Sequence, residues 1–171
     1  KEMNQKTFVK TFKDVQQKMY FLSKRLLTSH EEAADAVQEV MVKLWEKRFK
    51  LEEVQNKEAY AMQMVKNYSL DRLKSKQASH LKIVHSNYDN EERNVEEELE
   101  RLGKVKLVQQ MISELPEQYR MMIQLRDIQR YDFEAIENIL NMKSTAVRVG
   151  LSRARKMLKE KIEEQYKTEI A

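Results

Sequence analysis

The sequence predicts an all-α protein in which two small helical domains are joined by an acidic linker. Only two glycines and one proline occur among its 171 residues, which leaves few residues for the tight turns that β-hairpins require. Leu, Lys, Glu, Gln, Met and Ala recur throughout the chain, and all six are strong helix formers. Since 35% of the residues are charged, we expect the hydrophobic core to be divided between small units.

The domain boundaries follow from apolar periodicity and charge. Helical spacing of apolar residues extends through residues 1–76 and resumes in residues 98–171, and these ranges are interpreted as the two domains. Residues 77–97 are interpreted as the linker, because apolar periodicity is lost over most of their length. From Asp89 to Glu100 the only base is Arg93, so this part of the chain is strongly acidic.

The first half of the N-terminal domain reads as two amphipathic helices. The first helix, from about Thr7 to Leu27, has apolar residues at alternating spacings of four and three, namely Phe8, Phe12, Val15, Met19, Leu22 and Leu26. Ser29 and Glu32 predict a capping box at the start of the second helix, in which the serine accepts from a backbone N–H and Glu32 reaches back. The apolar face of the second helix is Val37, Val40, Met41, Leu44 and Trp45, which leaves Asp35, Gln38 and Glu39 facing outward.

A loop and a third helix complete this predicted three-helix bundle. The loop extends from Lys47 to Asn56, and the helix from about Lys57 to Lys76. The residues expected inside are Ala61, Met64, Val65 and Tyr68. Tyrosine, amide and basic side chains share this helix, as on surfaces that stack single-stranded bases. A core tyrosine beside surface lysines explains the same pattern equally well.

The C-terminal domain ends in a predicted helix-turn-helix. A helix up to Leu115 is stopped by Pro116, and the next helix extends to about Gln129 with Tyr119, Met122, Ile123 and Ile128 inward. A short helix with Phe133, Ile136, Ile139 and Leu140 inward follows. The turn is Asn141 to Lys143, and Ser144 is the predicted cap of the final helix. That helix directs Val147, Leu151, Ala154 and Leu158 inward.

The final helix is unusually basic. Between Thr145 and Ile162 the only acid is Glu160, and the cations are Arg148, Arg153, Arg155, Lys156, Lys159 and Lys161. A run of charge is often only a solvated face. The apolar stripe opposite these cations and the short helix before them favour DNA binding instead, and membrane-surface binding fits less well because the apolar side is needed for the fold.

Other function classes have little support in the sequence. There is no cysteine, and the three histidines have no helical metal-ligand spacing. Two distant glycines cannot form a phosphate-binding loop, and the paired carboxylates lie in the acidic linker. We therefore expect no catalytic site, no metal and no cofactor. We also expect no insertion into a membrane, because no apolar run approaches the roughly 18 residues of a span, and we expect a cytoplasmic location.

Three segments, in this order, resemble the extracytoplasmic function (ECF) group of bacterial sigma-70 family sigma factors. "DAVQEVMVKLW" resembles the segment that binds the RNA polymerase core, and "KEAYAMQMVKNYSLDRLK" resembles the segment that reads and melts the minus-ten element. "ELPEQYRMMIQLRDIQRYDFEAIENILNMKSTAVRVGLSRARKML" is similar to the helix-turn-helix that reads the minus-thirty-five element. The resemblance implies a subunit that binds core polymerase, recognises both promoter elements and initiates transcription of a specific regulon.

The resemblance also implies partners and sites. The residues implied to contact core polymerase are Asp35, Gln38 and Glu39. Those implied to contact the minus-ten element are Asn56, Lys57, Tyr60, Lys66, Asn67, Asp71, Arg72 and Lys74. Those implied to contact the minus-thirty-five element are Ser144, Thr145, Arg148, Arg153, Arg155 and Lys156. The implied partners are core RNA polymerase, promoter DNA and an anti-sigma factor.

The chain departs from the family pattern at four positions. Tyr60 replaces a tryptophan, Asn141 replaces the turn glycine, and Glu137 replaces a small residue of the first helix of the helix-turn-helix. Gly150 stands where a basic residue is common, which removes one expected DNA contact. Two alternatives remain open: a stand-alone helix-turn-helix regulator, and a helical adaptor that no longer binds DNA.

Overall fold

A computed structural model describes residues 3–78 and 96–170, and within these ranges the chain forms helices and no strand. The helices are α1 (Gln5–Leu27), α2 (His30–Glu46), α3 (Arg48–Leu51), α4 (Lys57–Ala78), α5 (Glu96–Ser113), α6 (Glu117–Ile123), α7 (Phe133–Leu140) and α8 (Ser144–Ile170). A π-helical turn, Gln124–Ile128, continues α6. The predicted all-α class is confirmed, and most of the predicted linker lies outside the described residues.

Helices α1, α2 and α4 pack on one another as the N-terminal bundle. The whole predicted stripe of α1 is buried, and Phe12, Met19 and Leu22 are fully inaccessible. Burying each such side chain contributes about 1.5–3 kcal/mol. A hydrogen bond of 2.9 Å between the hydroxyls of Ser23 and Ser69 satisfies the two polar groups inside the α1–α4 contact.

Only half of the predicted capping box forms at α2. Ser29 Oγ accepts from the backbone N–H of Glu32 at 3.3 Å, as expected. The Glu32 carboxylate does not reach back, because it pairs with Lys76 and lies 3.6 Å from Arg72 Nε, both on α4. A carboxylate between two cations gains more than one that accepts from a backbone amide alone.

The predicted loop between the second and third helices contains the short helix α3. Leu51 ends this helix and is fully buried in the bundle, so hydrophobic burial draws the segment into the fold. Asn56 then caps α4 by accepting from the backbone N–H of Ala59 at 2.9 Å. The prediction of an irregular loop was therefore wrong for Arg48–Leu51.

Ile128 was predicted to point inward, but the π-helical turn gives it a different orientation. The backbone N–H of Gln129 donates to the carbonyl of Gln124, five residues earlier, at 2.9 Å. The extra residue in this turn rotates the side chains that follow it. Ile128 is consequently 41% exposed instead of buried.

The helix-turn-helix forms as predicted, with one difference at its second helix. Asn141 adopts the left-handed conformation, with φ 52° and ψ 52°, which asparagine tolerates better than most residues. Val147, Leu151 and Ala154 of α8 are buried. Ser144 is not a cap: it is the first residue of α8, because the helix begins as soon as Lys143 O can accept from Val147 N, at 3.1 Å.

The two halves of the chain contact each other. Helix α7 packs on α4, and α6 packs on α1. Glu58 Oε1 accepts from Lys18 Nζ and from the Tyr131 hydroxyl, each at 2.6 Å, and Gln129 Nε2 donates to the backbone carbonyl of Lys18 at 2.8 Å. We call Lys18, Glu58 and Tyr131 the interdomain junction. Burial, and then Glu58, raise the pKa of Tyr131, so its hydroxyl stays protonated and can donate.

Candidate functional surfaces

The exposed face of α2 carries the residues expected to bind polymerase. Asp35, Gln38 and Glu39 are all exposed, and their spacing places them on one side of the helix. Val42, one turn later on this side, is 56% exposed. Within residues 3–78 and 96–170, none of the three polar residues forms a salt bridge or a side-chain hydrogen bond. The face is therefore open to a partner with basic groups.

The residues expected to contact the minus-ten element are only partly accessible. Asn67, Asp71, Arg72 and Lys74 are exposed on α4, whereas Lys57 and Tyr60 are half-buried. Asn56 is exposed, but its side-chain oxygen is occupied in capping α4. Arg72 lies near Glu32, so it is also partly neutralised.

Lys66 does not fit the expectation of a DNA-facing side chain. It is only 7% exposed, and burial lowers its pKa. The described residues provide no hydrogen bond or ion pair to it. The periodicity of α4 alone could not reveal this burial, because which positions of α4 are covered depends on how α1, α2 and α7 pack on it. In this conformation Lys66 is a buried residue of the fold.

The basic residues of α8 fall into two groups. Arg155 is held by Asp127 in a bidentate ion pair, with Nε–Oδ2 at 3.0 Å and Nη2–Oδ1 at 2.5 Å. Arg148 lies over the ring of Phe133, 4.1 Å from its centroid, and donates weakly to Ser144 Oγ at 3.4 Å.

The second group is the free part of the surface. Arg153 and Lys156 are exposed, as is Thr145, while Ser144 is half-buried. In the part of the chain that the structure describes, neither Arg153 nor Lys156 forms a salt bridge. These side chains can contact phosphates without first breaking an internal pair, whereas Arg148 and Arg155 are oriented by neighbours.

Asp127 was missed by sequence reasoning. It lies on the π-helical turn, 28 residues before Arg155, so no local spacing connects the two. A carboxylate paired with a basic residue fixes the direction of its guanidinium. Only the tertiary structure identifies Asp127 as the residue that positions Arg155.

Gly150 faces the interior and not the solvent. It is buried, and a Cβ at this position would lie 2.6 Å from Met122 Sδ and 2.7 Å from Met122 Cε. A basic side chain here would therefore meet Met122. The flexible end of the Met122 side chain would have to shift to admit one, so Gly150 lets α8 pack closely on α6, and the loss of a DNA contact at this position stays a prediction. Glu137 is half-buried on α7.

The described residues show neither a metal site nor a membrane span. No group of three or more His, Cys, Asp or Glu side chains within residues 3–78 and 96–170 could hold a metal ion. No helix among them is both long and apolar enough to cross a bilayer. The candidate surfaces are thus the acidic face of α2, the partly covered face of α4 and the basic face of α8.

Comparisons with known proteins cover most of the chain. Residues 11–79 match the family model of sigma-70 region 2, and residues 106–158 match that of sigma-70 region 4. No match was found among the curated proteins.

Two solved structures share the fold. One is the sigma factor RpoE from Bartonella quintana in complex with the anti-sigma factor NepR, with a TM-score of 0.71, 20% identity, and coverage of 92% of this chain and 98% of that one. The other is CnrH in complex with the cytosolic domain of CnrY, with a TM-score of 0.69, 17% identity, and coverage of 94% and 90%.

Proposed function

This chain belongs to the sigma-70 family, and we propose that it binds core RNA polymerase, directs it to promoters through minus-thirty-five and minus-ten contacts, and initiates transcription of a specific regulon. The fold it shares with two sigma factors supports its placement in the ECF group. Polymerase performs the chemistry, so the chain needs no catalytic site, and a cytoplasmic location follows from this role.

One observation carries the proposal: a single chain presents two exposed faces of opposite charge, one in each matched region. The acids of α2 lie in region 2, and the cations of α8 lie in region 4. A regulator that bound only DNA would have no use for the open acidic face. A protein that bound only a basic partner would have no use for Arg153 and Lys156.

In this proposal α8 enters the major groove. Arg153, Lys156 and Thr145 contact phosphates or base edges there, and Arg148 and Arg155 are aimed by Phe133 and Asp127. Phosphate contacts set the register, and base-edge contacts give the sequence preference. The exposed residues of α4, together with Tyr60, then hold the opened strand at the minus-ten element.

We also propose an anti-sigma factor as a partner. A groove of about 570 Å³ separates α1 from α5 and the π-helical turn. Its exposed apolar residues are Phe21, Val105 and Ile128, and its rim includes the cation Lys18. An amphipathic helix would complement this groove by burying its apolar face there, while Lys18 stays paired with Glu58.

The first experiment measures co-elution of the purified chain with bacterial core RNA polymerase on size exclusion. The double variant Asp35→Lys/Glu39→Lys reverses the charge of the α2 face and is expected to abolish co-elution. The matched control, Glu163→Lys/Glu164→Lys, reverses two exposed acids of α8 and is expected to co-elute normally. Failure of the unaltered chain to co-elute would refute the proposal.

Two further measurements separate the alternatives. Tight, specific binding of a promoter duplex by the free chain at physiological salt would favour a stand-alone regulator. Unchanged promoter-directed transcription after charge reversal at Arg153 and Lys156 would favour an adaptor that no longer binds DNA.

A further inference from the structure

Four consecutive residues between α2 and α4, Lys47 to Lys50, form a basic and aromatic cluster that none of the predicted sites includes. We call these residues, Lys-Arg-Phe-Lys, the KRFK tetrad. Lys47 is the residue that caps the C-terminus of α2, and the other three belong to α3. Phe49 is 56% exposed, among the most exposed large apolar side chains of the described residues. Lys47 and Lys50 are exposed as well.

The Phe49 ring is held in place although it is exposed. The Arg48 guanidinium lies 4.4 Å from the centroid of the Phe49 ring and 4.4 Å from that of the Trp45 ring. Arg48 Nη1 also donates to the backbone carbonyl of Trp45 at 3.1 Å. Leu51, two residues after Phe49, is fully buried and anchors the end of α3 in the core. An exposed aromatic ring fixed in this way loses little conformational entropy when a ligand stacks on it.

The charge of the surface changes sign at this point. The face of α2 that precedes the tetrad carries Asp35 and Glu39, whereas the tetrad itself carries three cations. A basic surface of polymerase that binds the acidic face would therefore repel the tetrad, which makes a nucleic acid the better partner. Glu52 and Glu53 follow directly, so the basic cluster is small and suits one or two nucleotides.

We propose that the KRFK tetrad binds single-stranded DNA, with the Phe49 ring stacked on an unpaired base and Lys47 and Lys50 contacting the flanking phosphates. Aromatic rings combined with cations are the usual elements of single-strand binding sites, and a base face is available for stacking only when the strand is unpaired. The inference rests on the proposed function, in that the strand would be that of an opened promoter. The tetrad lies just before Asn56, Lys57 and Tyr60 in the chain, so it would extend the surface that binds the minus-ten element.

The test uses the free chain, because the tetrad is exposed without polymerase. The probe is a fluorescently labelled oligo(dT) of about 12 nucleotides, and its anisotropy gives the affinity between about 50 and 200 mM salt. Phe49→Ala is expected to weaken binding about 5-fold or more with an unchanged salt slope. Lys47→Gln/Lys50→Gln is expected to reduce the slope of log affinity against log salt by about 1.4, or about 0.7 for each phosphate contact.

Matched controls come from α1. Val9, 52% exposed, provides Val9→Ala, and the exposed Lys6 and Lys10 provide Lys6→Gln/Lys10→Gln. Neither control alters the Phe49 ring, so neither is expected to reduce the part of the oligo(dT) affinity that comes from base stacking. Lys6→Gln/Lys10→Gln is expected to change the slope of log affinity against log salt less than Lys47→Gln/Lys50→Gln does. Absence of oligo(dT) binding by the unaltered chain, or equal effects in control and tetrad variants, would overturn the inference.

Co-elution of the tetrad variants with core polymerase separates this inference from the proposed function. Retained co-elution with weakened oligo(dT) binding supports a DNA site. Lost co-elution with normal oligo(dT) binding would make the tetrad a polymerase contact and refute the inference. If the unaltered chain bound oligo(dT) through the tetrad but never bound polymerase, the proposed function would fail and the single-strand site would stand.

Discussion

Helices α2 and α4 are neighbours in one bundle, but their outer faces are in different states. The acidic face of α2 is fully open, whereas α4 packs against α1, α2 and α7 and has Lys66 buried. The residues expected to bind polymerase are therefore all accessible in this conformation, whereas those expected to bind the melted promoter are only partly accessible.

The same contrast exists on α8, which has one open side and one covered side. Arg153 and Lys156 lie on the open side, and Gly150 packs against Met122 on the covered side. We expect Gly150→Arg to reduce the free energy of unfolding by about 3 kcal/mol through overpacking. Urea denaturation followed by circular dichroism measures this. The control is Ser152→Arg, which adds the same side chain at an exposed position. Equal stability of the two variants would contradict the assignment of Gly150 to the covered side of α8.

Removal of the acceptor at the interdomain junction should uncover α4. Glu58→Ala leaves the Tyr131 hydroxyl without its acceptor and Lys18 without its carboxylate. We expect a loss of about 2 kcal/mol from the closed arrangement, mostly from the half-buried tyrosine hydroxyl, since the Lys18 pair is partly exposed.

The readout for the junction is the radius of gyration from small-angle scattering, which should increase, together with the affinity of the free chain for single-stranded DNA. Asp14→Ala, which removes an exposed acid of α1 outside both the junction and the tetrad, is the control. An unchanged radius in Glu58→Ala would show that the junction does not hold the two halves together.

Replacement of Lys66 tests whether burial of its amine on α4 lowers the stability of the protein. Since burial disfavours the charged form of Lys66, Lys66→Met should raise the free energy of unfolding by about 1 kcal/mol near neutral pH. Urea titration of the two proteins measures the difference. Lys74→Met, at an exposed position of the same helix, is expected to change stability little.

The pH dependence of this difference has a fixed sign. Burial lowers the folded-state pKa of Lys66 below the unfolded value of 10.5, so between the two values the unfolded chain binds more protons. The stability of the parent should rise with pH through that window, and the advantage of Lys66→Met should shrink. If the difference in the free energy of unfolding between Lys66→Met and the parent stayed constant up to pH 10.5, burial of Lys66 would not be its cause.

The smallest effect is expected at the Asp127–Arg155 pair. Asp127→Asn should change the free energy of unfolding by less than about 1 kcal/mol, because Arg155 is about half exposed and solvent screens the pair. Without the Asp127 carboxylate, the Arg155 guanidinium loses its fixed direction. The polymerase complex should then discriminate less well between promoter sequences. Glu163→Gln, which removes an exposed partner of Lys159 on the same helix, should leave that discrimination unchanged.

Periodicity in the sequence determined the position of most helices and the inner face of α1, but only part of that of α4, where Ala61 and Val65 are buried and Met64 and Tyr68 are half-buried. The α1 stripe, the turn at Asn141 and the inward residues Val147, Leu151 and Ala154 depend on contacts within a helix or between adjacent helices. Such contacts follow from spacings of three and four residues and from the backbone preference of a single residue. The order of the motifs likewise placed the chain in its family, since a motif is a local property.

Only the tertiary structure decided which of the outer faces are accessible. Lys66, Ile128 and the carboxylate of Glu32 all differ from expectation because a residue far away in sequence lies against them or because a π-helical turn rotates the chain. Spacing along one helix defines a polar side but carries no information about what packs on it. For that reason the sequence supplied the candidate residues, whose roles stay predictions, whereas their burial and their internal partners depended on how the helices pack.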